Sequence, residues 1–210
     1  MKTKLILPVL VFLLLGTAFE LRAAGTEPPL PRSMAVPTNA AVHRAWAVKL
    51  DLSGLKNFHQ VTTNLYRCAQ PGAEGMRQLE KLGVKTVINL RAFHGDAGEV
   101  KSTALRQEHI YFKTWHPEDE DVVRFLKIVT DTNRAPFVVH CQHGSDRTGT
   151  MIAIYRMAVQ GWTKDEAIDE MTKGGFGFHP MWKNLTRYLR ALDLDALKKR
   201  ARINPAPRPS

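Results

Sequence analysis

The sequence predicts an α/β fold with a mostly parallel central sheet flanked by helices. Two observations predict it. Short β-branched apolar runs alternate with segments of helical periodicity, and turn residues close most of the runs. With 210 residues and 44% apolar residues, the chain suits one medium domain with extensions and an ordinary core.

Taken in order, Lys2 and Lys4 precede an apolar run over residues 5–19, and Ala23 and Ala24 follow. That order predicts a secretory signal over 1–24, cleaved after Ala24, and so an exported protein, periplasmic or extracellular. The competing reading is an uncleaved anchor, but the run is short for a membrane span and holds Pro8 and Gly16. No cysteine lies near the cleavage region, which disfavours a lipid anchor. Residues 25–42, with Pro28, Pro29, Pro31 and Pro37, read as a flexible linker. The main domain is expected over 43–195, followed by a solvated basic tail over 196–210.

Within the domain, residues 64–68 read as a short strand stopped by Pro71 and Gly72. Residues 73–82 carry Met76, Leu79 and Leu82 on one helical face, and Gly83 ends them. VKTVINL, residues 84–90, reads as a buried strand. Residues 96–109 read as a helix and 110–115 as a strand. Residues 119–131 form a helix with Val122, Phe125, Leu126 and Val129 as its stripe. Residues 137–140 read as a strand, and 150–160, apolar on nearly all sides, as a buried helix. Thr163 and Glu166 make a capping box. Pro180 suits the first turn of a last helix reaching about residue 192.

The chemistry concentrates in residues 140–149, HCQHGSDRTG, between an apolar strand and an apolar helix. A loop there presents backbone N–H groups backed by a helix N-terminus, a ready anion site. The same groups favour a thiolate at Cys141, below the free thiol's pKa of about 8.5. Arg147, at the close of the loop, can hold two phosphoryl oxygens with its planar fork. Gly144 permits the tight bend. Thr148 can donate to the sulfur.

HCQHGSDRTG resembles the signature loop of the cysteine-dependent protein-tyrosine and dual-specificity phosphatases. With LYRCAQP (residues 65–71) and KTVINLR (85–91), the chain is similar to their small bacterial and plant–fungal dual-specificity branch, over roughly residues 57–192. The resemblance implies that family's fold and a two-step hydrolysis through a phosphocysteine. Cys141 is then the nucleophile, and Gln142, His143, Gly144, Ser145, Asp146 and Arg147 form the phosphate cradle. His140, Thr148 and Arg91 are expected in support, with Arg91 equally readable as a surface residue.

The general acid has two candidates. WHPEDED, residues 115–121, sits where the family places an aspartate, and Asp119 is its representative. Acids also favour a helix's first turn for its dipole alone. Asp146, directly before Arg147, is preferred by a small margin. Myotubularin and Sac-type phosphatases place an aspartate there, and like charge from bound phosphate favours protonation.

A metal held by His140, Cys141 and His143 is disfavoured, because adjacent strand residues point apart and a fourth ligand is not evident. No cofactor is expected. The net charge of +10 is compatible with nucleic acid, an acidic membrane or an anionic substrate. The expected partner is a phosphorylated protein or small phosphomonoester, foremost phosphotyrosine, with phosphoserine and phosphothreonine also weighed. Nucleic acid and stable membrane insertion after signal cleavage are not expected, and the sequence sets no oligomeric state. The alternatives are an inositol phosphate or phosphoinositide phosphatase, disfavoured by the lack of lysines in the loop, and a non-catalytic phosphoryl-binding module. Cys68, the only other cysteine, reads first as a small buried hydrophobe and second as a thiol able to trap Cys141 in a disulfide.

Overall fold

The computed structural model describes residues 44–203. The signal and linker readings over 1–24 and 25–42, and the end of the tail at 204–210, lie outside the described residues.

Among these residues six strands form one sheet: β1 (Val48–Lys49), β2 (His59–Thr62), β3 (Leu65–Ala69), β4 (Thr86–Asn89), β5 (Arg106–His109) and β6 (Phe137–Cys141). Their spatial order is β1-β2-β3-β6-β4-β5. β3, β6, β4 and β5 run parallel, and β1 and β2 join antiparallel at one edge. Every residue of β3, β4 and β6 is buried. That explains why these strands read as continuous apolar runs rather than as alternation.

Among the described residues, six α-helices cover the sheet: α1 (Ala73–Lys81), α2 (Asp119–Val129), α3 (Asp146–Ala158), α4 (Lys164–Lys173), α5 (Lys183–Ala191) and α6 (Leu194–Ala201). One core cluster joins Ile88, Phe137 and Val139 of the sheet to Phe125, Met151 and Leu185. A smaller cluster on the other face joins Tyr66, Val87 and Val138 to Met76 and Leu79 of α1. α3 is buried nearly all round, as its sequence predicts. It is tied to α4 by a buried two-point pair, Arg156 Nε to Glu170 Oε2 at 2.8 Å and Nη2 to Oε1 at 2.6 Å. The Thr163–Glu166 capping box is formed.

Four local expectations are corrected. Residues 96–109 are not a helix: they are turns followed by β5. The Asp96 side chain is drawn inward by buried partners, and its carbonyl supports only single turns to Glu99 and Val100. Residues 110–115 are not a strand. Ile110 still donates to Asn89, but beyond it only one bridge, Lys113 to His116, is made as the chain turns. Pro180 lies ahead of α5, whose N-cap is Trp182. The preceding His179 is held by Asp146 instead of entering the helix. Residues 196–201 are helix rather than tail. Asp193 caps the Ala196 N–H at 3.0 Å, Leu197 and Ala201 are buried, and Lys198, Lys199 and Arg200 sit where the helix dipole favours cations. No described helix is long and apolar enough to cross a membrane.

Candidate active site

The sheet delivers Cys141 at the carboxyl end of β6, and α3 begins at Asp146. The loop between them is held from behind by its carbonyls. Gln142 O accepts from the Gln70 N–H at 3.2 Å, His143 O from Asn57 Nδ2 at 3.0 Å, and Gly144 O from Arg67 Nη2 at 2.7 Å. With the carbonyls turned outward, the N–H groups of residues 142–148 are left free: they have no protein acceptor among the described residues. Free N–H groups at a helix N-terminus make an anion cradle. Gly144 is required at its bend. Its φ is +71°, and a Cβ there would stand 2.5 Å from the Cys68 carbonyl oxygen.

Arg147 lines a cleft of about 280 Å³ beside this cradle, together with Arg91, Phe93, Trp115, Gln142 and Trp182. Arg91, expected either at this edge or on the surface, is thus one of the cleft-lining residues. Phe93 is 88% exposed, Trp115 is 58% exposed, and their rings stack at 6.5 Å. The Thr148 hydroxyl is buried and has no hydrogen-bond partner among the described residues, so the expected bond to the sulfur is not formed.

His140 points to the sheet face opposite Cys141, as neighbours on a strand must. Its Nε2 lies 2.8 Å from Asp96 Oδ2, and its Nδ1 lies 3.4 Å from the Cys141 carbonyl. Asp96 is buried and also accepts from Gln70 at 2.8 Å and Asn89 at 3.0 Å. Burial alone would raise its pKa. The bonds from His140 and Gln70 outweigh that and hold the carboxyl below its ordinary value. His143 is exposed.

Neither acid candidate is among the residues lining the cleft. Asp146 Oδ1 accepts the His179 N–H at 2.9 Å, and Oδ2 lies 2.8 Å from His179 Nδ1. Asp119 accepts from the Tyr188 hydroxyl at 2.8 Å. Ser145 donates to the Phe176 carbonyl at 2.8 Å, so its hydroxyl braces the loop.

The disulfide reading of Cys68 is overturned. Both cysteines are free. In the β3–β6 register Cys68 lies opposite His140, while Ala69 lies opposite Cys141. The two thiols therefore point to opposite faces, into separate core clusters. Burial pushes the Cys68 thiol up well beyond the usual range.

Sequence reasoning missed Arg67, Gln70, Asn89, Asp96 and His179. Arg67 and Asn89 carried a signal, each being polar inside an otherwise apolar strand. Asp96 and His179 carried none, because their partners lie far away in sequence.

The family described as a dual-specificity and protein-tyrosine phosphatase fused to NAD⁺ kinase matches residues 31–184. The dual specificity protein phosphatase TpbA of Pseudomonas aeruginosa (strain UCBPP-PA14) is 34% identical over 78% of this chain and 74% of its own length. An inositol diphosphatase, DSP3 of Arabidopsis thaliana, is 26% identical over 68% of this chain and 73% of its own. A crystal structure of P. aeruginosa TpbA with phosphotyrosine superposes with a TM-score of 0.68 at 31% identity, covering 78% of this chain and 99% of that one. The catalytic core of Siw14 from S. cerevisiae, a PP-IP phosphatase, shares the fold at a TM-score of 0.63 and 22% identity, over 72% of this chain and 94% of its own.

Proposed function

The chain belongs to the dual-specificity branch of the cysteine-dependent phosphatases, and from that premise we propose that it hydrolyses phosphotyrosine in proteins, with Cys141 as nucleophile and Arg147 as phosphate clamp. It is a phosphomonoester hydrolase. The observation that carries the reading is the set of free N–H groups over residues 142–148, next to Cys141 and Arg147.

The Cys141 sulfur attacks phosphorus, and the bond to the ester oxygen breaks. The N–H groups and Arg147 hold the three non-bridging oxygens, whose charge they match. The leaving oxygen takes a proton from the acid. Water then attacks the phosphocysteine, returning a proton to the acid, the sulfur–phosphorus bond breaks to restore the thiolate, and phosphate departs.

Phosphotyrosine is favoured among substrates because Phe93, Trp115 and Trp182 offer an aromatic wall to the cleft. Ring contacts of that kind are worth about 1 kcal/mol, or several-fold in rate constant. Phosphate release should therefore be several-fold faster from a phosphotyrosine peptide than from its phosphoserine counterpart. Faster release from inositol phosphates or phosphoinositides would replace this reading with the alternative. No release from any substrate would favour the binding module. Export is proposed with it, on the lysine–apolar–alanine order of residues 1–24. N-terminal sequencing of the protein recovered outside the cytoplasm tests that.

Asp146 is proposed as proton donor ahead of Asp119. Asp146→Asn should slow aryl phosphates with poor leaving groups by about 10²-fold, and p-nitrophenyl phosphate far less, since a good leaving group needs little protonation. The same pattern in Asp119→Asn, but not in Asp146→Asn, would reverse the order.

A further inference from the structure

Arg67 is an anomaly of the core. Its side chain is fully buried in the middle of β3, where five consecutive residues are buried. Of its three nitrogens, Nη2 donates to Gly144 O at 2.7 Å, while Nε and Nη1 have no partner among the described residues. Its guanidinium carbon stacks 3.8 Å from the centre of the Phe176 ring. Phe176 in turn fixes the loop, because its carbonyl accepts from Ser145 and from Asn57.

Burying an incompletely paired cation is costly unless a neighbouring negative charge offsets it. Register shows where that charge lies. Arg67 is opposite Val139 and Ala69 is opposite Cys141, so Arg67 and Cys141 project from the same face of the sheet. Burial lowers the Arg67 pKa to about 10, and Glu170 and Cys141 are the groups that most oppose this. Glu170 is already engaged at both oxygens by Arg156. That leaves Cys141, on the same sheet face, as the other group beside Arg67.

We propose that Arg67 is a positioning residue for the phosphate loop and the fixed counter-charge of the Cys141 thiolate. It turns the Gly144 carbonyl away from the cradle, which leaves the loop N–H groups facing substrate. From the loop's rear it also favours the charged sulfur, so that nucleophile and cradle are set by one side chain. The groups around Cys141 are Arg67 on β3, Arg147 on α3 and, on the opposite face, His140 with Asp96 and Cys68. Behind Arg67 stands the internally neutral Arg156–Glu170 pair.

The inference rests on Cys141 being a thiolate nucleophile, and the test separates the two. Iodoacetamide alkylation is followed against pH in the full chain, with Cys141→Ser as blank. Cys68 is silent here, being buried with its thiol pushed up. Arg67→Met should move the half-maximal pH of alkylation upward by about one unit, the effect of removing a neighbouring opposite charge. Arg67→Lys, which keeps the charge, should restore most of that shift. Tungstate affinity should fall in the Met variant as the Gly144 carbonyl is released. A purely structural role would lower Tm and leave the alkylation midpoint unmoved, and that result overturns the proposal. If Arg67→Met does not fold, Arg67→Gln, which keeps a donor for Gly144 but no charge, must show the same upward shift. A Gln variant at the wild-type midpoint overturns the proposal equally. A wild-type midpoint no lower than that of a free thiol would instead remove the nucleophile reading itself, and the proposal with it.

Discussion

Cys141→Ser should abolish phosphate release, by at least about 10³-fold, while leaving binding of a phosphotyrosine peptide or tungstate near the wild-type level. A serine hydroxyl has no neighbouring base to activate it among the cleft-lining side chains, and it is a far weaker nucleophile than a thiolate. The proposed binding apparatus is separate from the sulfur. The free N–H groups of residues 142–148 and the Arg147 fork are untouched by replacing one atom. Calorimetry with tungstate and a stopped phosphate-release assay give the two readouts. Turnover in this variant within tenfold of wild type, with contaminating phosphatase excluded, would end the phosphocysteine mechanism. Loss of binding together with turnover would mean that the sulfur itself organises the cradle.

Arg147→Lys should cost about 10²–10³-fold in kcat/KM, the usual price of removing an oxyanion donor from a preorganised site. Lysine keeps the charge, so the loss measures geometry. A planar fork can meet two phosphoryl oxygens at once, whereas an ammonium is a point charge on a flexible stem. Arg91 also lines the cleft but sits on the segment after β4, outside the loop. It does not replace the fork. A kcat/KM within about fivefold of wild type would show that the N–H groups carry the phosphate by themselves.

Much of the candidate site is legible in the sequence because its chemistry is local. Cys141, the bend at Gly144 and Arg147 lie within one short loop, and the strand before and helix after are continuous apolar runs. Where the reading failed, a long-range contact had overridden local periodicity. Residues 96–109 look helical in isolation, but Asp96 bonds His140 across 44 residues, which pins that segment down in turns. Pro180 looks like a helix opener, but the Asp146–His179 contact holds the chain just before it. The basic residues at 198–200 look like a tail, yet Leu197 and Ala201 supply an apolar face that packs on the core.

By itself, the sequence determined the fold class and the reactive loop. Both depend on side-chain periodicity and on residue types set a few positions apart. Tertiary structure alone decided what stands behind the sulfur. Arg67 reaches Gly144 across 77 residues, and Asp96 meets His140 from another strand connection. It also decided the fate of Cys68. Side chains alternate across a strand, so the register between β3 and β6 sends the two thiols to opposite faces of the sheet, and no count along the chain reveals that register.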